Sequence, residues 1–348
     1  MIAPHHTSAS WTRFLQAVFF SGVILYVGKT LFIPLSFGLL IAIVMYPVCK
    51  WLEQKRWPKA LAITASLSIV ILLFILLLLL LVWQVMVFWQ DWPQISVKLA
   101  TVLTDMQNRM AAQLGITLDV QAAWLRNMMM NTSGIAGKIL SGTFNTAAST
   151  LFMLFMIPVF AALFLYHRRI FVSYLRLVTP AAYRDQLNII LKEVVRTYFN
   201  YIRSMVLVYL IVGILNSIGL LALGIRHAIL FGMLTAIMTI IPYIGIVASA
   251  LLPISVAWIT KGSIWYPVGI VGIFAFVQYL EANVIFPRVV GTHLNVSTWA
   301  TLLAVLAGGI LWGVSGMVLF IPFVAILKII SDHVEDWKGV NILLSRAA

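Results

Sequence analysis

A single cysteine, Cys49, excludes an intramolecular disulfide and any thiolate metal cage, and it reads as an ordinary helix residue. Charge is nearly as scarce. Only 9% of the 348 residues are Asp, Glu, Lys or Arg, against roughly 25% in soluble domains, and 62% are hydrophobic. A soluble core has no use for that ratio. No stretch alternates polar and apolar residues as the strands of a transmembrane barrel do. Neither a P-loop nor a Gly-x-Ser-x-Gly motif occurs, so a nucleotide-driven pump and an enzyme both lose support. His5 and His6 read as solvated tail residues, and His167, His227 and His293 fall at interfaces or loops without metalloprotease spacing. No catalytic residue, metal or cofactor is expected.

What is present is a series of uncharged runs at or beyond the ~20 residues that cross a hydrocarbon layer. The pattern predicts an all-α fold: a polytopic α-helical integral membrane protein with about eight membrane segments, two of them broken or re-entrant, and an extramembrane helical insertion. Residues 1–90 hold three spans. The third, from Ala60 to Gln90, has no charge, glycine or proline; at ~1.5 Å per residue it outruns a ~30 Å core and must tilt or project. Trp83, Trp89 and Trp92 at its far end suit an interfacial belt.

From 91 to 141 polar and apolar residues mix at helical spacing, as in Val97, Ala100, Leu103, Met106 and Met110, which predicts the insertion. The methionines 128 to 130 read as packing residues, since no cysteine or histidine accompanies them. A fourth span covers 142–166, with a kink expected at Pro158. Residues 167–203 form a basic amphipathic connector suited to anionic lipid headgroups. Residues 204–330 form a C-terminal membrane core, and 331–348 a tail.

The net charge of +13 raises the question of nucleic acid. Its placement answers it. Most of the 23 Lys and Arg lie in the N-terminus, the 50–59 turn, the connector, the 287–298 loop and the C-terminus, so the positive-inside rule places these on the cytoplasmic side. Both termini are then cytoplasmic and the insertion external. The expected partners are membrane lipid and a small-molecule or ion substrate, with no nucleic acid. The N-terminal MIAPHHTSASWTR lacks the layout of a cleaved leader, so the first span is expected to remain.

Among the ten acidic residues, Glu281 alone falls inside an expected span. A charge at mid-bilayer costs ~2.5–3.5 kcal/mol on insertion scales, and such groups face a partner or a wet cavity. Gln278 lies one turn earlier on the same face, and Asn283 points elsewhere. Two readings stand. Glu281 changes protonation or binds a cation during transport, or it sits near the interface and pairs with a basic residue such as Arg288.

Two long uncharged runs flank it in sequence. From Ala228 to Thr260 the run is interrupted by IPYIG, where Pro242 removes a backbone donor and Gly245 permits a turn. From Trp299 to Leu327 it carries Gly308, Gly309, Gly313 and Gly316, then Pro322. Each is expected to fold back on itself, either as a re-entrant pair or as two full crossings. Secondary transporters bind solutes at such interruptions, although the glycines equally fit close packing of helices.

The order IPYIG, QYLEANVIFPRVVG, LLAVLAGGILWGVSGMVLFIP resembles the autoinducer-2 exporter family, the PerM-like permeases of bacterial inner membranes. The likeness covers nearly the whole chain. It carries over to Pro242, Gly245, Gln278, Glu281, Asn283, Pro287, Gly291, Gly308, Gly309, Gly313, Gly316 and Pro322. One stretch departs: where relatives open the fifth span with a Tyr-x-x-Gly-Gln-like run, this chain has Tyr201, Ile202, Arg203, Ser204 and Met205. The resemblance implies a multi-pass inner-membrane transporter that hydrolyses no nucleotide and self-associates as a homo-oligomer. Its members include autoinducer-2 exporters and proteins read as sodium or lithium/proton antiporters. A non-transporting scaffold, docking through the insertion and connector, is the alternative outside that class.

Overall fold

The computed structural model describes residues 8–115, 117–242, 244–290 and 295–345. Gly291, His5, His6 and His293 lie outside them, as do the side chains of the methionines 128 to 130. Among the described residues the chain is helical throughout, with one isolated bridge between Val296 and Ser345 in place of any sheet. Among the described residues seven helices are long and apolar enough to cross a membrane, and three shorter apolar helices accompany them. The expected polytopic helical membrane fold is the one observed.

The helices are α1 (Ser8–Val27), α2 (Lys29–Gln54), α3 (Lys59–Leu114), α4 (Leu118–Val178), α5 (Arg184–Ala222), α6 (Ala228–Met238), α7 (Ile244–Lys261), α8 (Trp265–Leu280), α9 (Phe286–Val289), α10 (Thr298–Trp312), α11 (Val314–His333) and α12 (Lys338–Leu344). Along α3, Leu72, Leu73, Leu76 and Leu79 are each more than half exposed, an apolar stripe suited to lipid.

The boundaries expected at 90, 141, 166 and 203 fall inside helices. They mark shifts of composition rather than breaks of backbone, because an amphipathic sequence sustains the i to i−4 ladder as well as an apolar one does. The insertion is thus the far ends of α3 and α4, joined at Gly115 with positive φ. Gln121 Nε2 donates to Gln107 O at 3.1 Å across that turn.

The chain divides into two compact units: Met1–Val70 with Met153–Arg203 and Thr292–Ala348, and Ile71–Phe152 with Ser204–Gly291. The expected 204–330 core has α6, α7 and α8 in the second unit and α10 and α11 in the first. The α10–α11 hairpin belongs with α1 and α2, against which both of its helices pack. Trp312 Nε1 donates to Leu25 O at 2.8 Å, fixing α10 to α1.

In the first unit, Ala42, Cys49 and Leu52 of α2 bury themselves with Ala62, Ile63 and Leu67 of α3 and Ala161 and Leu165 of α4. The Arg168 guanidinium donates to the Glu53 carboxylate, lies 5.3 Å from the Tyr46 ring centroid, and reaches Cys49 Sγ at 3.8 Å. A second cluster sets Ile190, Val194 and Tyr198 of α5 against Ile329 of α11, and the Tyr198 hydroxyl donates to Pro322 O. The expected tail holds a further helix. It folds as α12 and returns to the start of α10, where Ser297 N donates to Leu344 O at 2.7 Å.

In the second unit α5, α6, α7 and α8 gather around Leu220, Ile225, Phe231, Val256, Ala257, Ile270 and Phe274, with Ile95 of α3. Asp91 of α3 meets Arg226 at 3.1 Å and the buried His227 Nε2 at 2.8 Å. That contact ties the α5–α6 turn to α3.

Candidate functional site

The run around Glu281 does not continue as a regular α-helix. After Leu280 the backbone widens into a π turn over Glu281–Ile285, and Phe286 N donates to Glu281 O five residues back. Pro287 follows at the start of α9. A proline ring crowds the carbonyl four residues earlier and removes a donor, and a wider turn relieves both effects. Such π bulges recur at functional sites.

Glu281 is half-buried, and its Oε2 is enclosed without a hydrogen-bond partner. Among the described residues no cation pairs with it, and Arg288 is exposed. Gln278 lies beside it on the inner side of α8, half-buried. Asn283 is exposed and turns back on its own helix, donating from Nδ2 to Tyr279 O at 3.0 Å. From α5, the half-buried Tyr209 phenol lies within electrostatic reach of Glu281.

Two close approaches set how α5 lies on α8. A Cβ on Gly219 would collide with the Ile273 side chain, and one on Gly269 would press Leu223 at 3.2 Å. With Tyr209 near Glu281, residue numbers fall along α5 as they rise along α8, so the two helices run antiparallel. A third approach joins α5 to α6: a Cβ on Gly232 would meet Ser217 Oγ and Gly213 O. Small residues let these backbones touch, as membrane helices do.

Pro242 lies in the break between α6 and α7, and Gly245 is the second residue of α7. Gly245 packs so tightly on Met238 O that no side chain fits. Gly245 N donates to Ile241 O at 3.1 Å and Ile244 N to Pro242 O at 2.7 Å, closing the turn. The second hairpin, in the other unit, is made differently. Gly313 alone forms its turn, with φ 60° and ψ −140°, a conformation that disfavours any side chain. Gly308 and Gly309 lie inside α10, and Gly316 and Pro322 inside α11, so these four are not breaks. Gly308 and Gly316 are contact points between the two helices.

The expected site residues therefore separate. Pro242, Gly245, Gln278, Glu281, Asn283 and Pro287 belong to the second unit; Gly308, Gly309, Gly313, Gly316 and Pro322 belong to the first. Sequence reasoning missed Tyr209 and Asn216 on α5. Asn216 is fully buried, donates from Nδ2 to Val212 O at 2.9 Å, and leaves Oδ1 unpartnered. The signal was there: Gly213, Asn216, Ser217 and Gly219 interrupt an otherwise apolar run at helical spacing.

Membrane-capable helices, with a carboxylate oxygen enclosed at a widened turn in one of them, define the class as a polytopic α-helical membrane protein. More narrowly, the chain belongs to the AI-2E family of transporters, whose family model matches residues 14–336. It is 25% identical over 319 residues to the protein YrrI of Bacillus subtilis, covering 88% of this chain and 87% of that one. It is 27% identical over 334 residues to MT0215 of Mycobacterium tuberculosis, covering 91% and 88%. The AI-2 transport protein TqsA of Escherichia coli is 23% identical over 323 residues, 90% of this chain and 89% of TqsA.

Proposed function

We propose that this protein is a secondary transporter of the bacterial inner membrane that exports a small solute without nucleotide hydrolysis, with Glu281 in its translocation site. The observation that carries the reading is the enclosed, partnerless Oε2 of Glu281 at the start of a π turn. An unsatisfied acceptor of this kind costs ~1–3 kcal/mol, and a protein retains it where a proton, a cation or a solute completes it in part of a working cycle. Gln278 stands beside it to orient that guest. Asn283 is the third residue of the coupling set, and Pro242, Gly245 and Pro287 are its broken-helix elements.

The TqsA likeness favours an organic solute, autoinducer-2. A second reading, monovalent cation/proton exchange, draws on the chemistry of the second unit. The buried Thr235 and Ser249 donate their hydroxyl hydrogens to their own helices, at 2.8 and 3.0 Å, which leaves their oxygens as acceptors. Both readings use the same carboxylate. The basic face of 167–203 lies on anionic headgroups, both termini are cytoplasmic, and the working form is a homo-oligomer.

Proteoliposomes discriminate. An exporter moves autoinducer-2 down its gradient, and an antiporter moves sodium or lithium against an imposed pH step. A chain that moves none of these in an intact, monodisperse preparation is a scaffold, and the transport reading falls.

A further inference from the structure

Glu281 lies toward one end of its span, Trp265–Val289, so a path that passes it must continue into the helix cluster. Asn216 is where the structure continues it. On α5, Tyr209, Val212, Gly213 and Asn216 follow at spacings of three and four and share one face. Tyr209 stands at the level of Glu281, and Asn216 lies seven residues further on, ~10.5 Å along the helix. Counted from Ser204, that is near the middle of the membrane part of α5, which ends at Ala222.

Asn216 is fully buried, yet its Oδ1 accepts nothing from the protein. Within the second unit only Glu281 shares that condition among the described residues; the third such atom, Gln186 Oε1, belongs to the other unit. Asn216 stands in an apolar surround: Val208 and Val212 of its own helix are fully buried before it, and Leu220, Phe231, Ile270 and Phe274 form an apolar cluster. An orphaned carbonyl oxygen in such a surround is completed by a donor from outside the chain.

We propose that Asn216 is a second polar station on the transport path, its Oδ1 accepting a hydrogen bond from water or from a donor-bearing solute that has moved inward from Glu281. This rests on the reading of Glu281 as a path residue and extends it to mid-membrane. Val212, Asn216 and Leu220 are all fully buried in this structure, so it is during the working cycle that the face from Tyr209 to Asn216, and not Leu220, becomes wetted.

The lone cysteine makes the test direct. In a Cys49→Ser background reconstituted in lipid, Asn216→Cys and the conservative Val212→Cys are exposed to 2-aminoethyl methanethiosulfonate on both faces. Leu220→Cys serves as the dry control and Glu281→Cys reports the parent reading. The proposal expects the thiols at 216 and 212 to react at least about tenfold faster than the one at 220, as wetted and dry positions in a membrane interior must. Should Asn216→Cys fail to assemble, Val212→Cys carries the test alone. Unreactive thiols at 212 and 216 beside a reactive one at 281 overturn this proposal and leave the parent reading standing. An unreactive thiol at 281 as well removes both.

Discussion

Gly308 of α10 and Gly316 of α11 face each other so closely that a Cβ on either would run into the carbonyl of the other. A backbone carbonyl cannot move aside as a side chain can. Gly316→Ala is therefore expected to cost ~1–3 kcal/mol, the range for overpacking a tight site. At Gly309 the neighbour is the flexible end of Met317, 2.8 Å from the added Cβ, and Gly309→Ala should be far milder. Melting of the purified protein in detergent checks the order. Equal losses would show that the hairpin does not close through these glycines.

Glu53 and Arg168 hold α2 to α4 with side chains only 23% and 20% exposed. Removing one partner of such a pair strands the other charge and costs ~3–5 kcal/mol, whereas removing both with apolar replacements is often neutral. Glu53→Leu and Arg168→Met are each expected to lower the melting temperature sharply, and the double variant to recover most of the loss. Additive losses would mean that the pair does not couple.

Asp91 fastens the α5–α6 turn through the buried His227 and the exposed Arg226. His227 itself has φ 63° and lies edge-on to Phe88 at 5.4 Å. Asp91→Asn should loosen this turn without melting α5. Faster amide exchange confined to about residues 224–228 is the expected readout, and unchanged exchange there would dismiss the contact as incidental.

Ser297 caps α10 twice over. Its Oγ accepts from Ala300 N at 3.2 Å and donates to Leu343 O at 3.0 Å, which couples the helix start to α12. Loss of an N-cap costs ~0.5–2 kcal/mol. Ser297→Ala is expected to raise exchange at both Thr298–Thr301 and the end of α12. Fraying of α10 alone would show that α12 docks by other contacts.

Much of this was legible in the residues. Pro242 announces the α6–α7 break because it lacks a donor, a local effect, whereas Gly245 lies inside α7 and lacks a side chain where Met238 O packs on it. Glu281 announces itself as a charge where lipid forbids one. The π turn was not legible, since Pro287 acts on backbone several residues upstream and a wider turn must find space among neighbours. Gly313 could not be chosen over Gly308, Gly309 and Gly316, because a glycine that bends and a glycine that packs look alike in sequence. Asn216 was passed over for a similar reason. A single amide in an apolar run reads as tolerated until its oxygen is found without a donor. The continuity of α3, α4 and α5 through polar stretches was hidden by the expectation that a change of composition means a change of structure.

The central claim is that Glu281 works in the translocation site. Transport of autoinducer-2 and of sodium by reconstituted wild-type protein and Glu281→Gln, across a range of pH and at matched assembly, tests it most directly. The neutral amide keeps the shape and removes the ionisable oxygen. The expected result is loss of transport, or a residual transport that no longer varies with pH. Wild-type rates with a wild-type pH profile in Glu281→Gln would contradict the account.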